Sequence, residues 1–302
     1  MTLRLGTVVA SGAERAACLL DDGRVRLLPR ALGDALDIVS RGPDFVSELR
    51  RLCAAEEETV RLADVQVLAP LRRFRRDVLC TGWNYWDHFY ESEGKREGQD
   101  VPKPDAPTFF TKSPGTACAP VGTIAFDAKV SSKWDYEAEI VVVIGMGGRS
   151  IPQSRALEHV WGYCLANDVS QRDLQRRHGG QWLKGKSIDA TMPLGPWIVH
   201  RDDVTLKGLV FECELNGITM QRASVDDMAF PIAELIAELS FGMSLCAGDV
   251  LLTGTPSGIG NARTPPVYLK GGDRVIVRGD SLGELDNTLV GADLSSYRKG
   301  DR

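Results

Sequence analysis

The sequence predicts an α+β chain dominated by short strands, with a small leading domain (1–72) and a larger second domain (73–302), and three observations lead there. From Asp77 onward, short apolar runs such as VLCTGWNY, APTFFTK and GTIAF are separated by Gly and Pro, without the regular helical stretches of a βαβ pattern. PLRRFRRD, with one proline and four arginines, marks a change of texture at the end of the leading segment. Lys133 to Gly145, KWDYEAEIVVVIG, then joins an alternating acidic run directly to an apolar strand.

Composition bounds the function. A chain of 302 residues, 43% hydrophobic and 25% charged, has room for a substantial core. A formal charge of −5 with interleaved signs leaves no basic surface to grip a phosphate backbone, so nucleic acid is not an expected partner. No window approaches the ~20 apolar residues a membrane-spanning helix needs, and MTLRLGTVVASG lacks a leader pattern, so a cytoplasmic protein is expected. Seven cysteines without a CxxC read as reduced core thiols rather than disulfides or zinc ligands.

In the leading segment, LGTVVA and RAACLL flank a Gly-containing turn, DDGRVRLLP makes another, and helical stretches follow at 31–40 and 44–57. NYWDHFYES then reads as a short helix in which His88 and Glu91, three apart, meet on one side. Such a carboxylate can fix an imidazole's tautomer and raise its basicity; the bland alternative is a chance surface pair. The charged tail from Ser92 to Ala106 is too polar to pack and is expected to be a mobile loop.

The acidic strand carries the chemistry. A period of two places Asp135, Glu137, Glu139, Val141 and Val143 on one face. Like charges entering a core edge are costly unless a cation neutralises them, although a solvated strand end is the plain alternative. SRALEHVWGY predicts a short helix running into the strand YCLANDVS, which ends on Asp168. Glu137, Glu139 and Asp168 form an all-oxygen set suited to magnesium, manganese or calcium rather than zinc. Arg172 and Gln175 share a helical side and are candidates for a substrate carboxylate, or are merely exposed polarity.

GQWLKGKS, Gly180 to Ser187, matches GxxxxGK[ST], but the charged RDLQRRHG precedes it and prolines follow, so it is not a nucleotide-binding loop. Lys186 remains a candidate for neutralising a developing oxyanion. Asn216-Gly217 marks a hairpin turn. Pro231 opens a core helix through Ile232, Leu235, Ile236, Leu239 and Met243, ending near Gly248. DVLLTGTPSGIG follows as a strand and a Gly-rich loop that exposes amides and hydroxyls.

GWNYWDHFYE, PTFFTKSPG, DYEAEIVVVIG, GYCLANDVSQRDLQ, LKGKSIDATMPLGPWIV, GDVLLTGTPSGIG and LKGGDRVIVRGDSLGELDNTLV resemble, in order, the fumarylacetoacetate hydrolase superfamily across Asp77 to Val290. The resemblance implies a mixed β-sandwich roll that forms a homodimer. It implies a divalent ion, usually magnesium, on Glu137, Glu139 and Asp168, with His88 and Glu91 activating water or moving a proton. Lys186 and Thr255 would face the ligand, Arg172 and Gln175 would contact a pyruvoyl carboxylate, and Tyr85 completes the expected substrate contacts. The tryptophan of GWNYW and the long charged loop depart from any one subgroup. The expected activity is metal-dependent hydrolysis of a C–C bond in an acylpyruvate or 2,4-diketo acid of aromatic or sugar-acid catabolism. Oxaloacetate decarboxylation, oxo-acid isomerisation and a non-catalytic metal- or ligand-binding role are the alternatives.

Overall fold

The architecture is organised by the strand Ala138–Ile144, AEIVVVI, whose seven residues are all buried. Both of its faces are covered, as its unbroken β-branched run requires. In the computed structural model, which describes residues 1–55, 58–96 and 100–296, it pairs antiparallel with Val160–Asn167 and with Val250–Leu252.

Around it a large sheet runs in the order Thr59–Arg61, Arg24–Leu27, Ala13–Leu19, Arg4–Ala10, Met192–His200, Val160–Asn167, Ala138–Ile144, Val250–Leu252, Val78–Gly82, Thr108–Lys112. A second sheet of five strands, Ile218–Ser224, Val210–Leu215, Arg274–Gly279, Gly283–Gly291 and Val121–Phe126, lies against it. Strand parity divides the core. Ile140, Val142 and Ile144 pack with Phe211, Val277 and Leu285 of the second sheet. Val141 and Val143 pack with Leu3, Leu5, Leu49 and Trp161. The protein is therefore a β-rich α+β roll of two facing sheets, as expected.

The leading segment has one small cluster of its own, Val8, Ala10, Ala17, Val25 and Leu27 closed by Trp197, and otherwise shares the core of the rest. Its first strand extends the large sheet, with Arg4 opposite Val199 and Leu5 opposite Ile198, and its helices cover the far face of the central strand. Those helices are shorter than expected, Ala35–Val39 and Val46–Ala54, because Gly42 at φ 77° turns the chain between them; residues 56 and 57 of the second stretch lie outside the described residues. The core helix also ends early, at Ser240, where Gly242 at φ 73° reverses the chain. Asn216 and Gly217 both take positive φ, 51° and 84°, as the expected tight hairpin demands.

One expectation is overturned. Cys18 and Cys53, 35 positions apart with Cα atoms 6.2 Å from one another, form a disulfide. The strand Ala13–Leu19 and the helix Val46–Ala54 turn them into the same core, a meeting that sequence spacing does not reveal. Cys80, Cys118, Cys164, Cys213 and Cys246 are free thiols. No helix among the described residues is long and apolar enough to cross a membrane.

Residues 73–302 expressed without the leading segment should melt at least about 10 °C below the full chain. Each core leucine removed is worth roughly 2 kcal/mol, and each kcal/mol shifts a chain of this size by about 2–4 °C. Coincident melts would show the leading segment to be an independent unit.

Candidate metal and proton-transfer site

The central strand breaks at Tyr136-Glu137, and this break builds the site. Trp134–Asp135 pairs instead with Ser170–Gln171, so parity no longer holds Asp135 on the face of Glu137 and Glu139. The Asp135 carboxylate accepts from Arg172 Nε at 2.9 Å and from the Gly260 and Asn261 amides at 2.7 and 3.0 Å. It holds a loop and a helix together and does not join the acidic cluster.

Glu137, Glu139 and Asp168 do converge. Each offers a carboxylate oxygen within 4.8 Å of the others, and all three are buried. Asp168 is held opposite Glu137 by its own amide, which donates to the Glu137 carbonyl at 2.8 Å. Buried cations surround them. Lys186 Nζ lies 2.5 Å from Glu137 Oε2 and 2.7 Å from Asp168 Oδ2. Arg172 Nη2 sits 2.6 Å from Glu137 Oε1, and Lys112 Nζ 2.5 Å from Asp168 Oδ1.

These contacts set the ionisation. Burial alone would raise the Glu137 carboxyl, but Lys186 and Arg172 outweigh it and hold the group down to about 2. Glu139 has the Gly254 amide at 2.7 Å, and burial, then the charges of Asp168 and Glu137, push its carboxyl well above the usual range. Burial opposes the Lys186 charge, yet Asp168 and Glu137 raise its pKa. Four acids (Asp135, Glu137, Glu139, Asp168) thus face three cations (Lys112, Arg172, Lys186). Glu139 is the acid left without an ion pair, and the hard oxygen donors fit a divalent metal ion.

His88 brings the His–Glu pair to the same cavity. On the helix Trp86–Glu91, His88 Nδ1 is 2.8 Å from Glu91 Oε1, and the Gly258 amide donates to Glu91 Oε2 at 2.8 Å. His88 is 7% exposed and lines a cavity of about 60 Å³ together with Glu137, Glu139, Arg172, Gln175, Lys186 and Thr255. With Nδ1 turned to the carboxylate, Nε2 is the nitrogen left to exchange a proton.

The loop 253–262 is a row of backbone donors: Gly254, Gly258, Gly260 and Asn261 serve Glu139, Glu91 and Asp135. Gly258 adopts φ 107°, and a Cβ there would collide with the Met220 carbonyl, which is why the run is written in glycine. Thr255 lines the cavity, but its hydroxyl donates to the Ala138 carbonyl at 2.9 Å and accepts from Gln221 at 2.8 Å, strapping the loop to the central strand. Arg172 Nη1 meets Gln175 Oε1 at 3.1 Å, so those two do share a side.

Tyr85 is placed elsewhere. It is buried in the core, edge-on to Phe211 at 6.1 Å, and is not part of the cavity lining. The segment after Ser92 also departs from expectation. Ser92 and Arg96 are buried, Lys95 donates to the Ala262 carbonyl, and Lys103 sits 3.9 Å over the Trp86 ring. Long aliphatic stems and aromatic faces let these charges pack; residues 97–99 lie outside the described residues. Lys186 ends the short helix Leu183–Lys186, its ammonium between two carboxylates.

Lys112 was not singled out from sequence, although it ends the apolar run PTFFTK and is 0% exposed. A charged residue closing an apolar strand, as Asp168 also does, was the available signal.

Fold and site define a β-rich enzyme class with a buried three-carboxylate cluster that could hold a metal ion beside a His–Glu pair. The chain belongs to the fumarylacetoacetate hydrolase family, whose C-terminal domain model matches residues 77–290. It is 38% identical over 266 residues to the oxaloacetate tautomerase YisK of Bacillus subtilis (strain 168), covering 85% of this chain and 86% of that one. It is also 38% identical over 265 residues to the human mitochondrial oxaloacetate tautomerase FAHD2A, covering 87% and 81%. Among solved structures, a fumarylacetoacetate hydrolase from Exiguobacterium antarcticum superposes with a TM-score of 0.82 at 32% identity, covering 96% and 100%. A probable 2-hydroxyhepta-2,4-diene-1,7-dioate isomerase from Mycobacterium abscessus gives 0.78 at 32%, covering 97% and 100%.

Replacing Lys112 by Met removes one of two cations facing a fully buried carboxylate. The expected loss of stability is about 3 kcal/mol, the low end for a broken buried pair because Lys186 remains, measured by denaturant unfolding. An unchanged midpoint would mean that Lys112 does not compensate Asp168.

Proposed function

We propose that the protein is a divalent-cation-dependent oxo-acid isomerase that interconverts the keto and enol forms of a short 2-oxo acid such as oxaloacetate. The observation that carries this reading is that His88, bonded to Glu91, lines one small cavity with Glu137 and Glu139 of the carboxylate cluster. The tautomerase activity of similar chains adds to it. Hydrolysis of a C–C bond, the first expectation from sequence, draws support only from the wider family.

Ketonisation needs a proton delivered to C3 and the enol oxygen relieved of its own. A divalent ion on Glu137, Glu139 and Asp168, magnesium with manganese or calcium as substitutes, supplies Lewis-acid polarisation of the 2-oxygen when bound. The chain's own residues do the rest. The enol gives its O–H proton to solvent water as it binds; His88 Nε2 then gives its proton to C3, the electron pair of the C2=C3 bond forms the new C–H bond, an oxygen lone pair closes the C2=O bond, and the neutral His88 regains a proton from water. In the reverse direction His88 takes the C3 proton, and Glu91 steadies the imidazolium that results. Lys186, kept protonated by Asp168 and Glu137, holds a fixed positive charge on the cavity wall, where negative charge builds on the substrate oxygen.

Decay of the enol absorbance of oxaloacetate, with magnesium and with chelator, tests the reading. His88→Ala should lower kcat roughly 10²–10⁴-fold, the range for a lost general acid–base group, and chelator should abolish the activity. Pyruvate released from an acylpyruvate faster than the enol decays would overturn the isomerase assignment in favour of hydrolysis.

A further inference from the structure

Arg96 is a buried cation of the cavity wall, near Lys95 and Arg176, that the metal and proton-transfer groups leave unused. It is 6% exposed, and its side chain lines the same cavity as Glu137, Glu139 and His88. Among the described residues no carboxylate forms an ion pair with it; Asp100 and Glu93 act on its charge only from beyond ion-pair distance. Its Nη2 donates to the Phe89 carbonyl, Nη1 makes only a long 3.4 Å approach to the Val101 carbonyl, and Nε is buried with no partner. Arg172 and Lys186, by contrast, are committed to Asp135, Glu137 and Asp168. A buried guanidinium whose hydrogen bonds go only to neutral carbonyls is costly. A ligand that brings its own anion removes that cost and gains charge-assisted hydrogen bonds.

The guanidinium is also held still. It lies 4.0 Å over the Phe89 ring and 5.3 Å from the Trp83 ring. Trp83 is in turn braced edge-on by Trp182 at 4.9 Å and takes a left-handed backbone, φ 52°, unusual for so bulky a residue. A planar donor fixed between aromatic faces is pre-organised for a planar carboxylate.

We propose that Arg96 receives the second carboxylate of a dicarboxylic 2-oxo acid, so that the cavity selects C4-type diacids over monocarboxylic oxo acids and over substrates with a neutral tail. This deepens the oxo-acid reading above and rests on it for the placement of the first carboxylate and 2-oxygen toward Glu137, Glu139 and Asp168. A monocarboxylic substrate leaves Arg96 unmatched, whereas a diacid answers a cation at each end.

The test is calorimetric binding, to the full chain with magnesium, of two unreactive analogues that differ only at the far end: malate, and 2-hydroxybutanoate with a methyl group in place of the carboxylate. Wild type should prefer malate by roughly tenfold or more, the scale of a charged hydrogen bond. Arg96→Met, which keeps the stem over the rings, should bring that ratio close to one. Arg96→Lys, which keeps the charge but loses the fork, should fall between the two. Thermal melts report whether each variant is folded; should the Met variant unfold, the Lys ratio decides. Absence of a preference in wild type, or an unchanged ratio in the folded variants, overturns the assignment. The two readings separate cleanly. A wild type that prefers malate through Arg96 yet does not tautomerise oxaloacetate keeps this inference and loses the isomerase, and an active wild type with an unchanged ratio does the reverse.

Discussion

The structure depends on a buried cluster of opposite charges in which Lys112, Arg172 and Lys186 hold Glu137 and Asp168 inside the roll. Carboxylates at that depth cannot stay ionised without such partners. The partners do not suffice for Glu139, whose carboxyl is left with a backbone amide and a raised pKa. The fold can tolerate this imbalance because the large apolar interface between its two sheets supplies the stabilisation that an ion cluster does not. An all-oxygen set in which one acid lacks an ion pair fits a divalent cation.

Geometry does the rest through backbone rather than side chains. One glycine-rich loop donates amides to Glu139 of the acidic cluster, to Glu91 of the His88–Glu91 pair and to Asp135, which anchors Arg172. Three groups with different tasks are thereby registered against a single rigid segment. That segment is tied to the central strand through the Thr255 hydroxyl. Amides cost no side-chain entropy to position and carry no charge to desolvate, which suits them to holding carboxylates in a confined cavity.

Much of this was legible in the sequence because it follows from local rules. Period-two alternation placed Glu137 and Glu139 on one face of a buried strand, three-residue spacing paired His88 with Glu91, and the end of an apolar run exposed Asp168. What was missed needed the third dimension. The break at Tyr136 that removes Asp135 from the cluster comes from pairing with Ser170, a partner 35 positions away. Lys112 and Asp168 meet across 56 residues, and Cys18 reaches Cys53 only when a helix docks on a sheet. Thr255 and Tyr85 were assigned to the ligand by likeness, whereas the first spends its hydroxyl on backbone and the second packs in the core. The charged loop after Ser92 was read from its composition, and aromatic faces that cover Arg96 and Lys103 overrode that reading.

The most direct test of the central claim is titration of the protein with Mn²⁺, followed by electron paramagnetic resonance. The account predicts one bound ion per chain, displaced by magnesium and lost in Glu139→Gln and Asp168→Asn. A wild type that binds no ion, or a Glu139→Gln variant that binds it equally well, would contradict the claim that these buried carboxylates are gathered to hold a metal.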